Sequence, residues 1–418
     1  MDFQPTSHEK IRRLLDKGVI ISNPGTIDIG DDVNVHQISS QNVTIYPGCR
    51  IYGKDTVITA GCRLGAEAPA TIDNCRLGPN VELKGGYFRE SVFLDGAGMG
   101  SGAHVREGCL LEEEASGAHA VGLKQTILFP FVTLGSLINF CDCLMAGGTS
   151  RSNHSEVGSS YIHFNFTPDA DKTTPSMIGD VPRGVMLNQP PIFLGGQGGM
   201  VGPLHIGYGN VVAAGSILRK DYPQNNQLIR DMPQSRDTRD FVAAAYRGFG
   251  RIVENNIRYL ANLNALEAWY AGIRKPFFEA QEFGTFMYSG AMNQLSLARK
   301  ERLNRLSIMS EKAISFSRRR QKPESPDEKQ SLYEHMNHIE DILSEPVRDH
   351  IIETTRAAFL RDFAQSTGNA PTQSYIDTIR NLPPGLSAKG ITWLQGIVDY
   401  YCQKAASVLS SPRLFRTR

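Results

Sequence analysis

The sequence predicts a mixed architecture: a triangular parallel β-solenoid in the first half, then an all-α second half. Three observations carry that expectation. A six-residue phrase recurs through the first half. Glycine stands at 40 of 418 residues, well above its average share of about 7%. After Lys220-Asp221-Tyr222-Pro223 the six-residue beat stops, and apolar residues return at helical spacing at Val242, Ala245, Phe249, Ile252, Val253, Ile257 and Leu260.

Residues 1–24 are charged and lack the run of about 7 to 15 apolar residues that a leader would need, so they read as a helical lead-in. Nowhere do roughly 18 apolar residues follow one another, and a cytoplasmic location is expected. The solenoid is assigned to 25–222. Ile29-Gly30-Asp31-Asp32-Val33, Ile45-Tyr46-Pro47-Gly48-Cys49, Leu77-Gly78-Pro79-Asn80-Val81 and Ile206-Gly207-Tyr208-Gly209-Asn210-Val211 share one template: an aliphatic residue, a small one, then two that tolerate a turn. One aliphatic side chain per phrase points inward, and Gly, Asn and Asp supply corners where positive φ is tolerated. Three phrases close a coil of about 18 residues.

The helical half is assigned to 236–418, with a charged, proline-containing linker near 315–330 that includes the solvated run Arg318 to Arg320. Helices are expected over 332–363, 372–381 and 388–409, with Pro383-Pro384-Gly385 separating the last two. Trp269, Tyr270, Phe277 and Phe278 read as core or interface. Glu334, His335, His338 and Asp341 read as an amphipathic face rather than metal ligands.

The charge balance narrows the partners. Lys+Arg 44 against Asp+Glu 43 leaves a net +1, so no global field recruits nucleic acid or a membrane. Seven cysteines without a CxxC pair read as buried apolar filler, not as a disulfide framework or metal site. Glu112-Glu113-Glu114 reads as a solvated turn, and His104, His119 and His205 as surface positions.

The six-residue grammar resembles the hexapeptide-repeat family, whose fold is a left-handed parallel β-helix, an exception to the right-handed crossover rule. Two segments depart from the plain repeat, 150–172 and 194–207. From Asn165 to Lys220 the chain resembles the acetyltransferase half of the bifunctional N-acetylglucosamine-1-phosphate uridyltransferase/glucosamine-1-phosphate acetyltransferases. The residues that carry this are Asn165-Phe166, Lys172, Ile178-Gly179-Asp180, Leu194-Gly195-Gly196, Ile206-Gly207-Tyr208-Gly209, Ala213-Ala214-Gly215 and Arg219-Lys220-Asp221.

The resemblance implies an acyl-CoA-dependent transferase, with acetyl-CoA as donor and an amino sugar, sugar phosphate or nucleotide sugar as acceptor, working as a homotrimer. By the same analogy Asn165 and Lys172 hold the sugar phosphate, Gly196 and Ala214 line the acetyl-CoA groove, and Arg219 and Lys220 meet CoA phosphates. Ser150-Arg151-Ser152-Asn153-His154 reads like the family's base-bearing phrase, which makes His154 the catalytic base and Asn153 a substrate contact. An alternative pairing over 117–147 sets Phe140 at the base position and Lys124 at a phosphate-binding lysine. His163 is a second candidate base.

Phe166 and Gly196 stand where the family has a tyrosine and a serine, and residues 181–192, with three prolines, form an insertion that reads as a lid or an arm to a neighbouring subunit. The Gly-rich phosphate loop of the family's nucleotidyltransferase half does not occur, so uridyl transfer is not expected. No metal is expected. The alternative function is a non-catalytic β-helix that binds a sugar nucleotide or scaffolds an assembly through its helical half.

Overall fold

The computed structural model describes residues 6–231, 238, 240–246, 248–320, 326–368, 373–409 and 414–415. A parallel β-solenoid of about eleven turns is followed by a bundle of helices. Each coil visits three faces. In one coil Gly98–Met99 lies on the first face, Ala103–Val105 on the second and Cys109–Leu111 on the third, before Ser116–Gly117 returns to the first. The first face is an 11-stranded parallel sheet running from Ile20–Ile21 to Leu228–Ile229. The other two faces join into one 16-stranded sheet, because longer strands such as Gly122–Leu128 and Asn139–Met145 pass through the corner between them.

Parallel register places like residues above one another. Ile45, Leu64, Leu83, Met99, Gly117, Leu134, Val157, Leu194 and Val212 form the inward column of the first face. Burying each aliphatic member stabilises the fold by roughly 1.5–3 kcal/mol. Gly117 leaves a gap in this column, and the Met99 thioether fills it: a Cβ on Gly117 would lie 2.6 Å from the sulfur.

Helix α1 (Ser7–Lys17) closes the first coil. Thr6 and Glu9 form a reciprocal capping box at its start. Ile11 and Leu14 are buried against the coil. The Lys10 ammonium donates to the carbonyls of Gly30 and Asp31, both at 2.7 Å, and Lys17 donates to Val35 and Ile38.

The helical half comprises α3 (Phe249–Trp269), a π-turn at Tyr270–Arg274, α4 (Lys275–Glu279), α5 (Gly284–Arg320), α6 (Pro326–Ser344), α7 (His350–Thr367), α8 (Tyr375–Arg380) and α9 (Pro384–Val408). It packs on the third face through α3 and α5. Buried asparagines of α3 spend their amides on the solenoid: Asn256 donates to the Thr173 carbonyl at 3.2 Å, and Asn262 accepts from the Val181 amide at 3.0 Å.

Several expectations change. The first strand begins at Ile20. The anticipated linker is largely helical: α5 continues to Arg320 and α6 starts at Pro326, where a missing N–H costs nothing. The side chains of 318–320 and all of 321–325 lie outside the described residues. The helix expected over 332–363 is two helices, divided at Pro346, with Asp349 capping α7 by accepting from Ile351 and Ile352. The insertion at 181–192 is neither lid nor arm. Its short helix α2 (Val181–Gly184) is a buried peg between α3 and α9 of the same chain.

The acidic turn is also not solvated. Glu112 is 1% exposed, accepts from the Tyr270 hydroxyl and lies 3.2 Å from Arg274, while Glu113 takes the other side of that guanidinium. His205, expected at the surface, has both ring nitrogens covered and unpartnered. All seven cysteines are buried and free.

Candidate functional site

The triangular section gives three edges, and the sequence-derived candidates distribute over all of them. The edge between the first and second faces carries Gly100, Ala118, Gly135, Gly158, Gly195 and Ala213 in six successive coils, each donating its amide to the next coil. Close stacking requires this: a Cβ on Gly195 would stand 2.3 Å from the Ala214 nitrogen. Gly196 and exposed Ala214 belong to this edge. The Gly196 carbonyl accepts from Gly215 at 3.0 Å.

The edge between the second and third faces is polar and of mixed charge. Lys124 pairs with Glu107 at 2.5 Å. One coil on, Cys141 and Asp142 make the corner, Asp142 with φ of 61°. The next coil extrudes residues 165–175, and the last carries exposed Arg219 and Lys220. Arg219 donates to the Ile217 carbonyl at 3.2 Å, and the Lys220 ammonium sits 5.3 Å from the Tyr222 ring centre.

The structure brings Asn165 and Lys172 together around Asp142. The Asn165 amide lies 3.4 Å from one Asp142 oxygen, and Arg302 of α5 donates to the other at 2.8 Å. Arg302 also donates to the Lys172 carbonyl at 3.1 Å. Burial pushes the Asp142 carboxyl up, while the charges of Arg302 and Lys172 oppose that. Asp171 accepts from Thr173, and Lys312 donates to the Asp169 carbonyl. The second part of the excursion, 171–175, is thus strapped beneath the helical half, while Phe166, Pro168 and Ala170 stay exposed.

His154 stands on the remaining edge, between the third and first faces. Its strand Asn153–His154 pairs antiparallel with Gly148–Ser150 in a hairpin that leaves the coil. Arg151 fixes that hairpin by donating to the carbonyls of Glu114 and Phe131, both at 3.0 Å. His154 Nδ1 lies 2.7 Å from the Arg151 carbonyl. A carbonyl only accepts, so Nδ1 is the donor in this contact, and Nε2 lies 4.0 Å from Glu156. Asn153 donates to Thr149 at 2.9 Å and is exposed. Within one chain His154 and Asn165 are on different edges and do not converge.

The other two base positions point inward. Phe140 is fully buried, packed edge-on to Tyr161 at 6.1 Å. His163 is 2% exposed, with Nε2 2.8 Å from the Ser176 hydroxyl, and burial pulls its pKa down to about 4. Between the two long edges, the second face presents exposed Ile162, Phe164 and Val201. A separate groove of about 590 Å³ lies on the first face beside Gly100 and Ala118 and is walled by Arg151 and Glu114.

Sequence reasoning missed Asp142, Arg302 and the Glu112–Arg274 pair. The signal for Asp142 was available: one carboxylate inside the otherwise apolar run 140–145 of the strand Asn139–Met145. Arg302 carried none, because its partner is 160 positions away.

Comparison with known proteins agrees with this geometry at the level of fold. The chain is 29% identical over 214 residues to "Bifunctional protein GlmU" of Thermotoga maritima, covering 51% of this chain and 42% of that protein. It is 28% identical over 222 residues to the protein of the same name from Nitratidesulfovibrio vulgaris, with the same coverage. For the one from Kineococcus radiotolerans the identity is 26% over 230 residues, 54% and 40% of the two chains. The chain thus spans about two fifths of the length of the curated relatives it matches. No family model matches. Among the described residues no helix is long and apolar enough to cross a membrane, and no group of three or more His, Cys, Asp or Glu could hold a metal ion.

Proposed function

We propose that this chain is an acyl-CoA-dependent transferase that acylates an amino sugar, a sugar phosphate or a nucleotide sugar. The similarity to proteins named GlmU supports a sugar-related transferase. The observation that carries the finer reading is the second face: an apolar strip of Ile162, Phe164 and Val201 between a small-residue edge and one whose last coil bears exposed Arg219 and Lys220.

In this reading acetyl-CoA lies along Gly196 and Ala214, where small side chains let the pantetheine arm reach the backbone. Its phosphates meet Arg219 and Lys220. The acceptor's phosphate meets Lys124 and Lys172, with Asn165 on its hydroxyls. The acceptor amine adds to the thioester carbonyl, its proton passes to His154 Nε2, and the thiolate leaves as the tetrahedral intermediate collapses. Because His154 sits on the third edge, it serves the second face of a neighbouring copy, as a homotrimer would arrange.

The test is thiol release from acetyl-CoA with glucosamine 1-phosphate and a panel of amino sugars. His154→Ala should lower the rate at least roughly 10²-fold, the contribution of a general base. Absence of turnover with every acceptor overturns the proposal.

A second reading, a non-catalytic β-helix that binds a sugar nucleotide, is favoured by buried Phe140 and by Arg302, which occupies the Asp142 carboxylate beside Asn165. Saturable binding of UDP-N-acetylglucosamine without turnover, lost in Lys124→Ala, would support it.

A further inference from the structure

We infer that the groove on the first face is a binding site for a small zwitterion, a molecule carrying an ammonium group and a carboxylate. The groove measures about 590 Å³, within the range of small-molecule sites. Its floor is the outer side of two coils, where Gly98 and Ser116 are register neighbours and Gly100 and Ala118 follow them. Side chains this short leave the trough open. Met99 is the large apolar residue of the lining and is only 2% exposed, so a ligand here is held by polar groups.

Much of the charge on the walls is already matched. Lys84 pairs with Glu67 at 3.2 Å, and Glu82 lies 3.6 Å from Arg63. Two lining groups are left over, and they have opposite sign.

The first is Glu114. Its side chain leans over the preceding coil, where a Cβ on Gly96 would stand 3.3 Å from the Glu114 Cγ. Half-buried, its carboxylate makes no hydrogen bond or ion pair with any described residue. Burial and the charges of Asp95 and Glu113 push the carboxyl up, against the pull of Arg151. A cation brought beside it relieves all three.

The second is exposed Arg151. It uses only Nη1 on the protein, towards the carbonyls of Glu114 and Phe131 and the Thr133 hydroxyl, each at 3.0 Å. All three acceptors are neutral. Thr133 is the register partner of Ser116, so Nη1 is fixed over the first face one coil beyond the groove floor. The parallel Nε–H and Nη2–H have no acceptor among the described residues, and that fork matches the two oxygens of a carboxylate.

A ligand of single sign would satisfy one of these groups and be repelled by the other. A zwitterion satisfies both, with its ammonium at Glu114 and its carboxylate at Arg151. The inference is independent of the acyl-transfer proposal, none of whose residues lines this groove.

The experiment is calorimetric titration of the full chain with glycine, β-alanine, γ-aminobutyrate and ε-aminohexanoate, which hold the two charges at increasing separation. Butyrate and butylamine, with one charge each, are the controls. Saturable binding of at least one amino acid at millimolar concentration or below is expected, with the single-charge compounds roughly tenfold weaker or more, the worth of one charge-assisted hydrogen bond. Glu114→Gln keeps the size of the side chain and removes its charge, and it should weaken binding by a similar factor. Ser116→Phe fills the floor from outside while leaving both charges in place, and it should abolish binding with an unchanged circular dichroism spectrum. No saturable binding of any amino acid, equal binding of the single-charge compounds, or undiminished binding in either variant overturns the inference.

Discussion

Arg302 of α5 and Asp142 of the solenoid edge stand 2.8 Å apart with 2% and 5% of their side chains exposed, one ion pair that ties the second half of the chain to the first. Removing one member leaves the other charge buried without compensation. Arg302→Met is therefore expected to lower the free energy of unfolding by about 3–5 kcal/mol. Adding Asp142→Asn to it should restore part of that loss. Urea denaturation of the two variants measures both. A single variant that unfolds like the wild type removes the clasp.

Glu112 gives a pH dependence of known sign. Burial raises its pKa from 4.5 to about 7, against the opposing charge of Arg274. Between those values the folded chain holds a proton that the unfolded chain has released, so this contribution is complete below about pH 4.5 and disappears as the pH rises through 7. The loss amounts to at most about 3 kcal/mol. Urea midpoints near pH 5 and pH 8 should draw together in Glu112→Gln.

His163 acts in the opposite direction. Its folded pKa lies near 4, below the ordinary 6.5, because burial disfavours the imidazolium. The stability it contributes is present above about pH 6.5 and lost as the pH falls through 4. Over the shared range the two groups oppose each other and the wild-type profile is flattened. His163→Gln should be less sensitive to acid than the wild type. An acid limb that is the same in both proteins would contradict this.

Stacking at Gly195 leaves no room for a methyl group. Gly195→Ala would set a Cβ 2.3 Å from the Ala214 nitrogen and must push two coils apart, at a cost of about 1–3 kcal/mol. Gly385→Ala, in the first turn of α9, meets nothing within 4 Å and should leave stability unchanged or slightly higher. Thermal melts of the pair separate close packing from a general intolerance of substitution.

The solenoid was legible in the sequence because its rule is local: each aliphatic residue of the six-residue phrase predicts its own inward position. Ile29, Leu77 and Ile206 each obey it. The helical half was legible in kind but not in its divisions. Pro346 and Asp349 supplied a stop and a start that the longer apolar periodicity obscured. The candidate site was legible only as a set of residue types. Whether Asn165 meets Asp142, or Glu112 meets Arg274, depends on how α3 and α5 settle on the third face, and spacing along the chain says nothing of that. His154 illustrates the same limit, since its phrase is readable while its edge of the prism is set by a hairpin pairing.

The lysine-tipped α1 has a consequence for assembly. A stack of parallel coils offers a free row of acceptors at its leading rim, the kind of surface on which β-rich chains add to one another end over end. Here two ammonium groups already occupy that rim. Polymerisation in that direction would have to strip them off first, which makes the helix a plug against fibre growth.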